Sequence, residues 1–551
     1  MDELITKPQW IAKMYPGKTG RDHLGLGSVS SDQILPSLSP GINVLTIHPR
    51  YHSFYVFLLY EYWQRHKEKS HNDWVAFYRP REFIFSLGAN MCDREEHGDM
   101  GSIVGSQKTK SLASEKRNFF KTDFHYIDED LGGYGLYFRT LMAEFGLIYP
   151  GGRGFKLSID VPSEYGEQVS LAFREAVKQT EYYQNYFDKD DIEIPTNVIV
   201  EYIRQACLCQ LQVNNAPDRE LLLDMFLHKG QYPENRKETF RLFLDIIDQV
   251  PTTSINQDLF RQIIYFQHTI NGYSYTPRES TREFYIRWRL YQAREYYAYA
   301  LNALFNYFCD WGLSNNGAIH AVPIGEFWIH IEENFNLKDV SNIYGIEDPN
   351  IDISNRFTDL LVWLENLVVR NDISLVGEYS INTPINEYQL YKISRSQEEN
   401  FEKLLIGMIL MLSIIFIRFR KTEFREYPEW EISKMGFRER LSVDRYIKSV
   451  KRLIEKNEIT IRDFIRWIYS DYIIRQHQFI ATRKLPDNTF RFQRSGNELK
   501  FNNLENPLSF MDSRFEAIST TIYELGLCND FGSEKTQLSP NGRRLLEHGD
   551  V

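Results

Sequence analysis

The sequence is poor in cysteine and has no long apolar run, and each shortage excludes a class of protein. Five cysteines in 551 residues, an odd number, do not suit the disulfide framework of a small secreted domain and fit a reducing cytoplasm. The longest apolar run, residues 404–417, has 14 residues, whereas crossing a bilayer takes about 18 or more. The opening residues MDELITKPQWIAKMYPG lack the basic segment and apolar stretch of a signal peptide. The sequence therefore predicts a cytoplasmic protein without a membrane span.

The cysteines also lack the spacing of the common zinc motifs. Cys207 and Cys209 are separated by one residue, which is closer than the two-residue gap of a C-x2-C half-site. The other three, Cys92, Cys309 and Cys528, are scattered. We therefore interpret Cys207 and Cys209 as packing residues of a helix, and we expect neither a metal nor another cofactor.

No complete catalytic or nucleotide-binding motif is present. The segment MYPGKTG resembles the end of a phosphate loop, but Ala12 stands where the first glycine is required. The acidic segment TDFHYIDED supplies Asp123, Asp128 and Asp130, carboxylates of the kind that a magnesium-dependent nuclease needs. No strand ending in Asp/Glu-x-Lys follows it. The sequence thus favours a protein without catalytic residues and leaves a nuclease site around these three carboxylates as the alternative.

The sequence does contain enough apolar surface for a large core, since 42% of its residues are hydrophobic and 15% aromatic. The aromatic run HPRYHSFYVFLLYEYW, residues 48–63, is apolar nearly all round a helix, which is typical of a buried helix. Pro49 biases His48 away from the helical region, so His48 and His52 should not share a helical face. Arg50 and His52 are the residues of this run for which we expect a polar role.

Helical patterns cover most of the chain. The segment TPRE, in which Thr276 can cap and Pro277 can take the first helical position, predicts a helix of about 35 residues. Other helices are predicted over residues 197–212, 256–270, 355–369, 398–419, 443–456 and 460–478. Alternating residues around Ser495-Gly496-Asn497 predict a β-hairpin over residues 489–501. The expected fold class is mainly α with small β-hairpins, built as a large helical body with small appended modules.

Two segments of the chain resemble each other. Residues 134–158 and 514–539 each show an amphipathic helix ending in Glu-x-Gly-Leu, then a turn-rich stretch, then Leu-Ser, with Gly146 and Gly526 as the helix stops. The order helix, glycine, hairpin matches the end of a winged helix, so winged-helix-like modules are expected near residues 131–160 and at the C-terminus. The predicted domains are an N-terminal domain with the aromatic helix and a hairpin (1–165), a helical domain with the long helix (166–345), a helical domain with a basic segment and a hairpin (346–510), and a C-terminal winged-helix-like module (511–551).

Cationic residues are concentrated in one part of an acidic chain. Residues 418–484 contain 17 Lys/Arg and 10 Asp/Glu, a net charge of +7, whereas the whole chain carries −11. A basic surface of this kind can bind phosphate backbones or dock on acidic surfaces of the same chain or of a partner, and winged helices place such side chains against DNA phosphates. The candidate nucleic-acid-binding residues are Lys448, Lys451 and Arg452 in the basic segment, Arg153 and Lys156 in the first hairpin, Lys535 in the second hairpin, and Arg543 and Arg544 in the closing helix.

Five segments, spread in order through most of the chain, carry a family resemblance. They are LGLGSVS with LSPGINVLTIHPRYHSFYVFLLYEYW (24–63), LGGYGLYFRTLMAEFGLI (131–148), YQAREYYAYALNALFNYFCDW (291–311), HQFIATRKLPDNTFRF (477–492) and SRFEAISTTIYELGLC (513–528). Together they resemble a family of uncharacterised bacterial proteins encoded beside phage-defence genes. The resemblance brings no catalytic residues with it. It implies a cytoplasmic component that works beside ATPase, helicase or nuclease subunits in restricting foreign DNA.

The leading hypothesis is thus a non-catalytic DNA-associated or adaptor subunit of a bacterial anti-phage defence system. Its expected partners are proteins of that system, with DNA as a further partner and no membrane. One alternative is a metal-dependent effector nuclease of such a system. Another is a pure protein scaffold whose basic face docks on an acidic subunit.

Overall fold

The structure is a computed structural model of the chain. The residues that it describes are 22–65, 70–98, 100–115, 117–123, 125–152, 154, 157–190, 192–212, 216–250, 255–369, 379–395, 401–420, 431–436, 441–456, 458–485, 487, 489–503, 508, 510–529 and 536–551. The segment that resembles the end of a phosphate loop lies outside them.

The described residues are mainly helical. The α-helices, in chain order, are α1 (Leu26–Val29), α2 (Leu35–Leu38), α3 (Arg50–Arg65), α4 (His71–Ala89), α5 (Ser106–Ser114), α6 (Arg139–Glu144), α7 (Glu164–Val177), α8 (Thr196–Ala206), α9 (Arg219–His228), α10 (Pro233–Gln249), α11 (Gln257–Phe266), α12 (Arg282–Ser314), α13 (Ile324–Asn334), α14 (Leu337–Tyr344), α15 (Phe357–Val368), α16 (Glu387–Arg395), α17 (Phe401–Phe419), α18 (Glu431–Lys434), α19 (Val443–Lys456), α20 (Ile461–Trp467), α21 (Arg475–Arg483), α22 (Phe515–Glu524) and α23 (Pro540–His548). Short 3-10 helices lie at Glu95–His97 and Leu208–Gln212, and π-helical turns at Ser30–Ile34, Tyr134–Phe138, Tyr182–Tyr186 and Ile468–Ile474.

The β-structure consists of short antiparallel strands. They are β1 (Phe119–Lys121), β2 (Ile148–Tyr149), β3 (Val161–Pro162), β4 (Glu193–Pro195), β5 (Val322–Pro323), β6 (Phe492–Ser495) and β7 (Glu498–Phe501). Strand β1 pairs with β4, β2 pairs with β3, and the third sheet has the order β5-β7-β6. The predicted fold class, mainly α with small β-hairpins, is confirmed.

The chain divides into two compact units. The first, here called the long-helix unit, consists of the described residues of Met1–Leu35 and Asp258–Met511. The second, here called the aromatic-helix unit, consists of the described residues of Pro36–Gln257 and Asp512–Val551. The predicted boundary at 510/511 falls beside a change of unit, whereas those at 165/166 and 345/346 fall inside units. The division into four separately folding domains stays a prediction.

Helix α3 is central to the aromatic-helix unit, where it packs against α7 and α4. The ring of Phe54 stacks on that of Phe85 in α4, with the centroids 4.0 Å apart. Tyr51, Tyr55 and Tyr62 are at most 1% exposed. The prediction that the aromatic run forms a buried helix is confirmed, because its rings supply the core of this unit.

Helix α12 is central to the long-helix unit, where it packs against α17. It has 33 residues, close to the predicted length, but the predicted start near Thr276 is wrong because the helix begins at Arg282. Helix α12 also continues through Gly312. A Cβ atom there would lie 2.3 Å from the ring of Phe501 in β7, so this glycine makes room for a neighbouring strand. The apolar run of residues 404–417 lies in α17, and no helix of the described residues combines the length and apolarity needed to cross a membrane.

Several predicted local features are confirmed. The helix predicted over 443–456 is α19, and the hairpin is β6–β7, with Gly496 at a φ of 61° in its turn. Helix α20 begins after a capping box formed by Thr460 and Asp463. The helix predicted over 197–212 is shorter than expected as an α-helix, because α8 ends at Ala206 and the chain continues in a 3-10 turn.

The two similar segments of the sequence adopt the same local fold. In the first, α6 is followed by Gly146 with a φ of 75°, then by the paired strands β2 and β3 and by α7. In the second, α22 is followed by Gly526 with a φ of 73°, by an isolated antiparallel bridge between Cys528 and Leu538, and by α23. The predicted order of helix, glycine and hairpin is therefore confirmed in the first segment; the second has the helix, the glycine and a single antiparallel bridge within the described residues.

A capping serine closes each repeat. Ser163 caps α7 and Ser539 caps α23, and each accepts a hydrogen bond from the backbone N–H of the glycine three residues on. The N–H of each serine donates to the carbonyl of the leucine that follows the stop glycine, at 2.9 and 3.1 Å. Ser539 thus corresponds to Ser163, and the sequence match of Ser539 with Ser158 is wrong by five residues.

The assignment of these segments to winged helices is not confirmed. Within the described residues, the paired strands are two residues long in the first segment, and the second segment shows a single bridge. The predicted wing cations Arg153, Lys156 and Lys535 lie outside the described residues. What the structure shows is a repeated helix–hairpin–helix motif.

Candidate metal centre and cationic surface

Three cysteines and one histidine meet in the aromatic-helix unit. Cys92 and His97 lie between α4 and α5, whereas Cys207 directly follows α8 and Cys209 lies in the next 3-10 turn. One ligand atom from each of the four residues lies within 4.8 Å of all the others. In the part of the chain that the structure describes, this is the one group of three or more Cys, His, Asp or Glu side chains that could hold a metal ion. We call it the cysteine–histidine cluster.

The packing of two helices brings the cluster together. Helix α4 lies against α8, and Gly88 in the last turn of α4 faces Ile199 and Ile203 of α8. A Cβ atom at Gly88 would lie 3.1 Å from the Cβ atom of Ile203, so the absence of a side chain allows the helices to approach closely. The segments that follow the C-terminal ends of the two helices are therefore neighbours, and these segments carry the four side chains.

Distances within the cluster match ligands that share one ion. The Sγ atoms of Cys92 and Cys209 are 3.9 Å apart, and Cys207 Sγ lies 3.3 Å from His97 Nδ1. Around tetrahedral zinc, bonds of about 2.3 Å to sulfur and about 2.0–2.1 Å to nitrogen place sulfur atoms about 3.8 Å apart and sulfur about 3.5 Å from nitrogen. A disulfide would need a bond of about 2.0 Å. The four residues are thus spaced as metal ligands and not as a disulfide.

The surroundings of Cys92 favour its thiolate form. Hydrogen bonds from the thiols of Cys207 and Cys209, with a further one from the backbone N–H of Arg94, lower the pKa of the Cys92 thiol far below its usual range. The side-chain amide of Gln210 donates to Cys209 Sγ at 3.7 Å. The Gln210 amide is a donor of the kind that orients ligating sulfur in metal sites.

A surface ion pair links the two segments that carry the cluster. Arg204, in the last turn of α8, donates hydrogen bonds to both carboxylate oxygens of Asp93, and Arg204 Nε lies 2.9 Å from Asp93 Oδ1. Asp93 directly follows Cys92, so the pair ties the first segment to the end of α8. The pair is exposed and contributes little to stability, and its role here is to position the segment.

A buried ion pair holds the second segment. The guanidinium of Arg50 and the carboxylate of Asp218 are both 0% exposed and lie 3.2 Å apart. Arg50 Nη1 also donates to the carbonyl oxygens of Gln205 and Cys207, at 2.9 and 2.6 Å. The expected polar role of Arg50 is confirmed, since it fixes the chain where α8 ends and the cluster begins.

The two histidines of the aromatic run have separate roles. His48 lies before α3, where its Nδ1 is 2.6 Å from the Glu524 carboxylate; burial lowers its pKa, but Glu524 outweighs that effect and the pKa is raised. His52 lies inside α3, and its Nδ1 hydrogen-bonds to the carbonyl of Pro49 at 3.0 Å. Burial lowers the pKa of His52 to about 4, so this ring is neutral at pH 7. The prediction that the two do not share a helical face is confirmed.

The predicted cationic face of α19 is present in the structure. Its inner face is buried through Val443, Tyr446, Ile447 and Val450. On the outer face, Lys448 and Arg452 are exposed and Lys451 is half-buried. Lys448 Nζ pairs with Asp444 at 2.8 Å. Neither Lys451 nor Arg452 forms an ion pair with another described residue.

The two cations predicted in the closing helix, α23, lie in the aromatic-helix unit, and nearby carboxylates offset the charge of one of them. Arg543 in α23 lies 3.5 Å from Asp248 and 3.8 Å from Glu547, which offset its charge. Arg544 beside it is exposed. These two residues belong to the aromatic-helix unit, whereas α19 belongs to the long-helix unit.

The carboxylates of the nuclease alternative do not converge. Asp123, Asp128 and Asp130 are exposed, and Asp128, at 94%, accepts a hydrogen bond from His125 at 2.8 Å. They do not form a group that could hold a metal within the described part of the chain. The described geometry therefore gives the nuclease alternative no support.

Comparison of the chain with protein-family models, with curated proteins and with solved structures found no match.

Sequence reasoning missed the cysteine–histidine cluster for a physical reason. Cys207 and Cys209 are buried, as a packing role predicts, but they follow α8 and do not form part of its packing face. Their partners lie more than a hundred residues earlier. The available signal was the presence of a C-x4-H pair and a C-x-C pair, but only the packing of α4 on α8 shows that the pairs meet.

Proposed function

We propose that the protein is a non-catalytic DNA-associated or adaptor subunit of a bacterial anti-phage defence system. It acts in the cytoplasm beside ATPase, helicase or nuclease subunits, as the family resemblance implies. The observation that carries the DNA contact is the outer face of α19, where Lys448, Lys451 and Arg452 lie together on a helix anchored by its buried inner face.

The geometry of this face suits a phosphate backbone. The three cations occupy positions i, i+3 and i+4, and therefore lie on one side of the helix within about 6 Å of axial rise. That span covers about two successive phosphates of one DNA strand. The three cations act as point charges and do not form an array of side chains that could read base edges. The surface therefore supports DNA binding that depends strongly on salt concentration and little on base sequence.

Anisotropy of a fluorescein-labelled duplex tests this contact. The triple variant Lys448→Ala, Lys451→Ala, Arg452→Ala should weaken binding by about tenfold or more at low salt and reduce the slope of log K against log salt by about 2, since the face spans about two phosphates and Asp444 partly offsets Lys448. The matched control is Lys110→Ala, Lys121→Ala, Lys178→Ala, which removes the same charge from three other elements. It should keep most of the affinity and the slope. Equal effects of the two variants would contradict a specific role for α19.

The second cationic surface is expected to contribute less. The double variant Arg543→Ala with Arg544→Ala should weaken binding by less than the α19 variant, because Asp248 and Glu547 already offset the charge of Arg543.

An affinity pull-down from the native host separates the two forms of the proposal. Co-purification of ATPase, helicase or nuclease subunits without DNA binding would assign an adaptor role. If the full chain neither binds duplex DNA at low salt nor retains such subunits, the proposal is refuted.

A further inference from the structure

We propose that the cysteine–histidine cluster is a structural Zn²⁺ site, with Cys92, Cys207 and Cys209 as thiolate ligands and His97 as the fourth ligand. This inference is independent of the proposed function, since the α19 surface lies in the other unit. It also departs from the sequence-based expectation that the protein has no metal.

The donor set points to zinc. Three cysteines with one histidine are a common ligand set of structural zinc sites, and soft thiolates disfavour magnesium and calcium. The ligand atoms all lie within 4.8 Å of one another, a spacing with room for one ion at their centre. The measured separations of 3.9 Å between sulfurs and 3.3 Å between sulfur and nitrogen agree with the edges of such a tetrahedron.

The coordination is closed, which makes the site structural. Tetrahedral zinc takes four ligands, and the cluster supplies four, so no position is left for a water or substrate. Binding displaces the thiol protons of the three cysteines and uses a neutral imidazole.

The first segment of the cluster has little regular secondary structure. Between α4 and α5 the chain's regular structure within the described residues is limited to one 3-10 turn, Glu95–His97; Cys92 precedes this turn and His97 is its last residue. Zinc would fasten this segment to the turn after α8. Cys207 also directly follows the C-terminal end of α8, where the helix dipole favours a positive charge.

Preformed surroundings support the same ligands. The Arg204–Asp93 pair and the buried Arg50 hold the two segments on either side of the cluster, and the side chain of Gln210 donates to Cys209 Sγ. Hydrogen bonds to ligating sulfur and to the neighbouring backbone are what orient ligands in metal sites.

Metal analysis of the full chain tests the site. We expect about one zinc per chain after purification under reducing conditions, as a single closed tetrahedral site requires. Cys92→Ser and His97→Ala should each lose most of it, with a rise in the dissociation constant larger than the about 10–100-fold typical of changes outside the ligand shell. The matched control is Cys309→Ala, a buried cysteine of the other unit, which should keep the full zinc content.

A ligand swap separates loss of metal from loss of fold. His97→Cys should retain about one zinc per chain, because cysteine is also a zinc ligand, whereas His97→Ala should lose it while keeping the same circular dichroism spectrum at low temperature. With Co²⁺ as the probe, the wild-type chain should show sulfur-to-cobalt charge-transfer bands that Cys92→Ser weakens.

Two results would overturn the proposal. One is a full chain that takes up no stoichiometric zinc although all its thiols are reduced and zinc is supplied. The other is zinc retained equally by wild type, Cys92→Ser and His97→Ala, which would place the ion elsewhere on the protein.

Discussion

Arg50 is a fully buried cation whose hydrogen-bond acceptors come from two other parts of the chain. Its position at the first residue of α3 places the guanidinium between Asp218 and the carbonyls at the end of α8. The sequence marked Arg50 as unusual, because a lone arginine opens an aromatic run. It did not identify the partner, since Asp218 is distant in the chain and nothing in its local sequence links it to α3.

Substitution of Arg50 tests this arrangement. Arg50→Met should lower the free energy of unfolding by about 3–5 kcal/mol, because it leaves the Asp218 carboxylate buried without its counter-charge. It should also weaken zinc retention by about 10–100-fold, as expected for a group that positions a ligand. Urea unfolding and chelator competition measure the two effects. The double variant Arg50→Met with Asp218→Leu should recover part of the lost stability; a single variant within about 1 kcal/mol of wild type would contradict the account.

His52 gives the aromatic-helix unit a dependence on pH. Burial lowers its pKa to about 4 from an ordinary value of 6.5. Between these two pH values the unfolded chain binds a proton that the folded chain does not, so stability is lost as the pH falls. Acidification from pH 7 to pH 5 should therefore destabilise wild type by about 2 kcal/mol more than it does His52→Phe, measured by urea unfolding at both pH values.

An exposed histidine supplies the control. His320 has an exposed side chain, so His320→Gln should keep the wild-type difference between pH 7 and pH 5. If His52→Phe also keeps the full difference, the ring of His52 is not the group responsible.

At the scale of elements, the repeated helix–hairpin–helix motif was visible in the sequence, but its register was not. The Glu-x-Gly-Leu ends of α6 and α22 predicted the glycine stops correctly, because few other residues tolerate the left-handed conformation. The first hairpin closes at Ser163 and not at Ser158, since the hydrogen bond from Ser163 to Leu147 sets the closure. The Leu-Ser dipeptide shared by the two segments does not indicate where that hydrogen bond forms.

Gly542, whose N–H donates to the capping residue Ser539, is required by packing. A Cβ atom at Gly542, in the first turn of α23, would lie 1.8 Å from the carbonyl oxygen of Leu527. Gly542→Ala should therefore displace α23 and destabilise the unit by about 1–3 kcal/mol, as measured by thermal unfolding. The control Gly325→Ala lies in α13 with no atom within 4 Å of the added Cβ, and should be neutral or slightly stabilising. Equal melting temperatures for the two variants would show that α23 tolerates the side chain.

At the scale of the whole molecule, the chain contributes two separate stretches to each unit. Residues near the start of the described chain belong with α12, because Arg294 donates to the carbonyl of Leu26 at 2.6 Å and Glu295 accepts from Ser30 at 2.5 Å. Local sequence patterns follow the order of the chain, so the domains predicted from them are consecutive stretches. The discontinuous arrangement depends on buried polar contacts across more than 260 residues, which local patterns do not encode.

Removal of zinc should raise hydrogen–deuterium exchange in the cluster segments and leave that of the long-helix unit unchanged. Treatment of the full chain with a chelator should raise hydrogen–deuterium exchange in peptides that cover Cys92–His97 and Cys207–Gln212, because these segments lose their common ligand. Peptides of α12 and α17 in the other unit should exchange as before. Unchanged exchange in both cluster segments, with zinc shown to be removed, would contradict a structural role for the ion.

X-ray absorption at the zinc edge of the protein, purified with its native metal, identifies the atoms bound to the ion. The cluster of Cys92, His97, Cys207 and Cys209 predicts a first shell of three sulfur atoms at about 2.3 Å and one nitrogen at about 2.0–2.1 Å. A shell made only of nitrogen and oxygen, or a preparation with no zinc to measure, would contradict it.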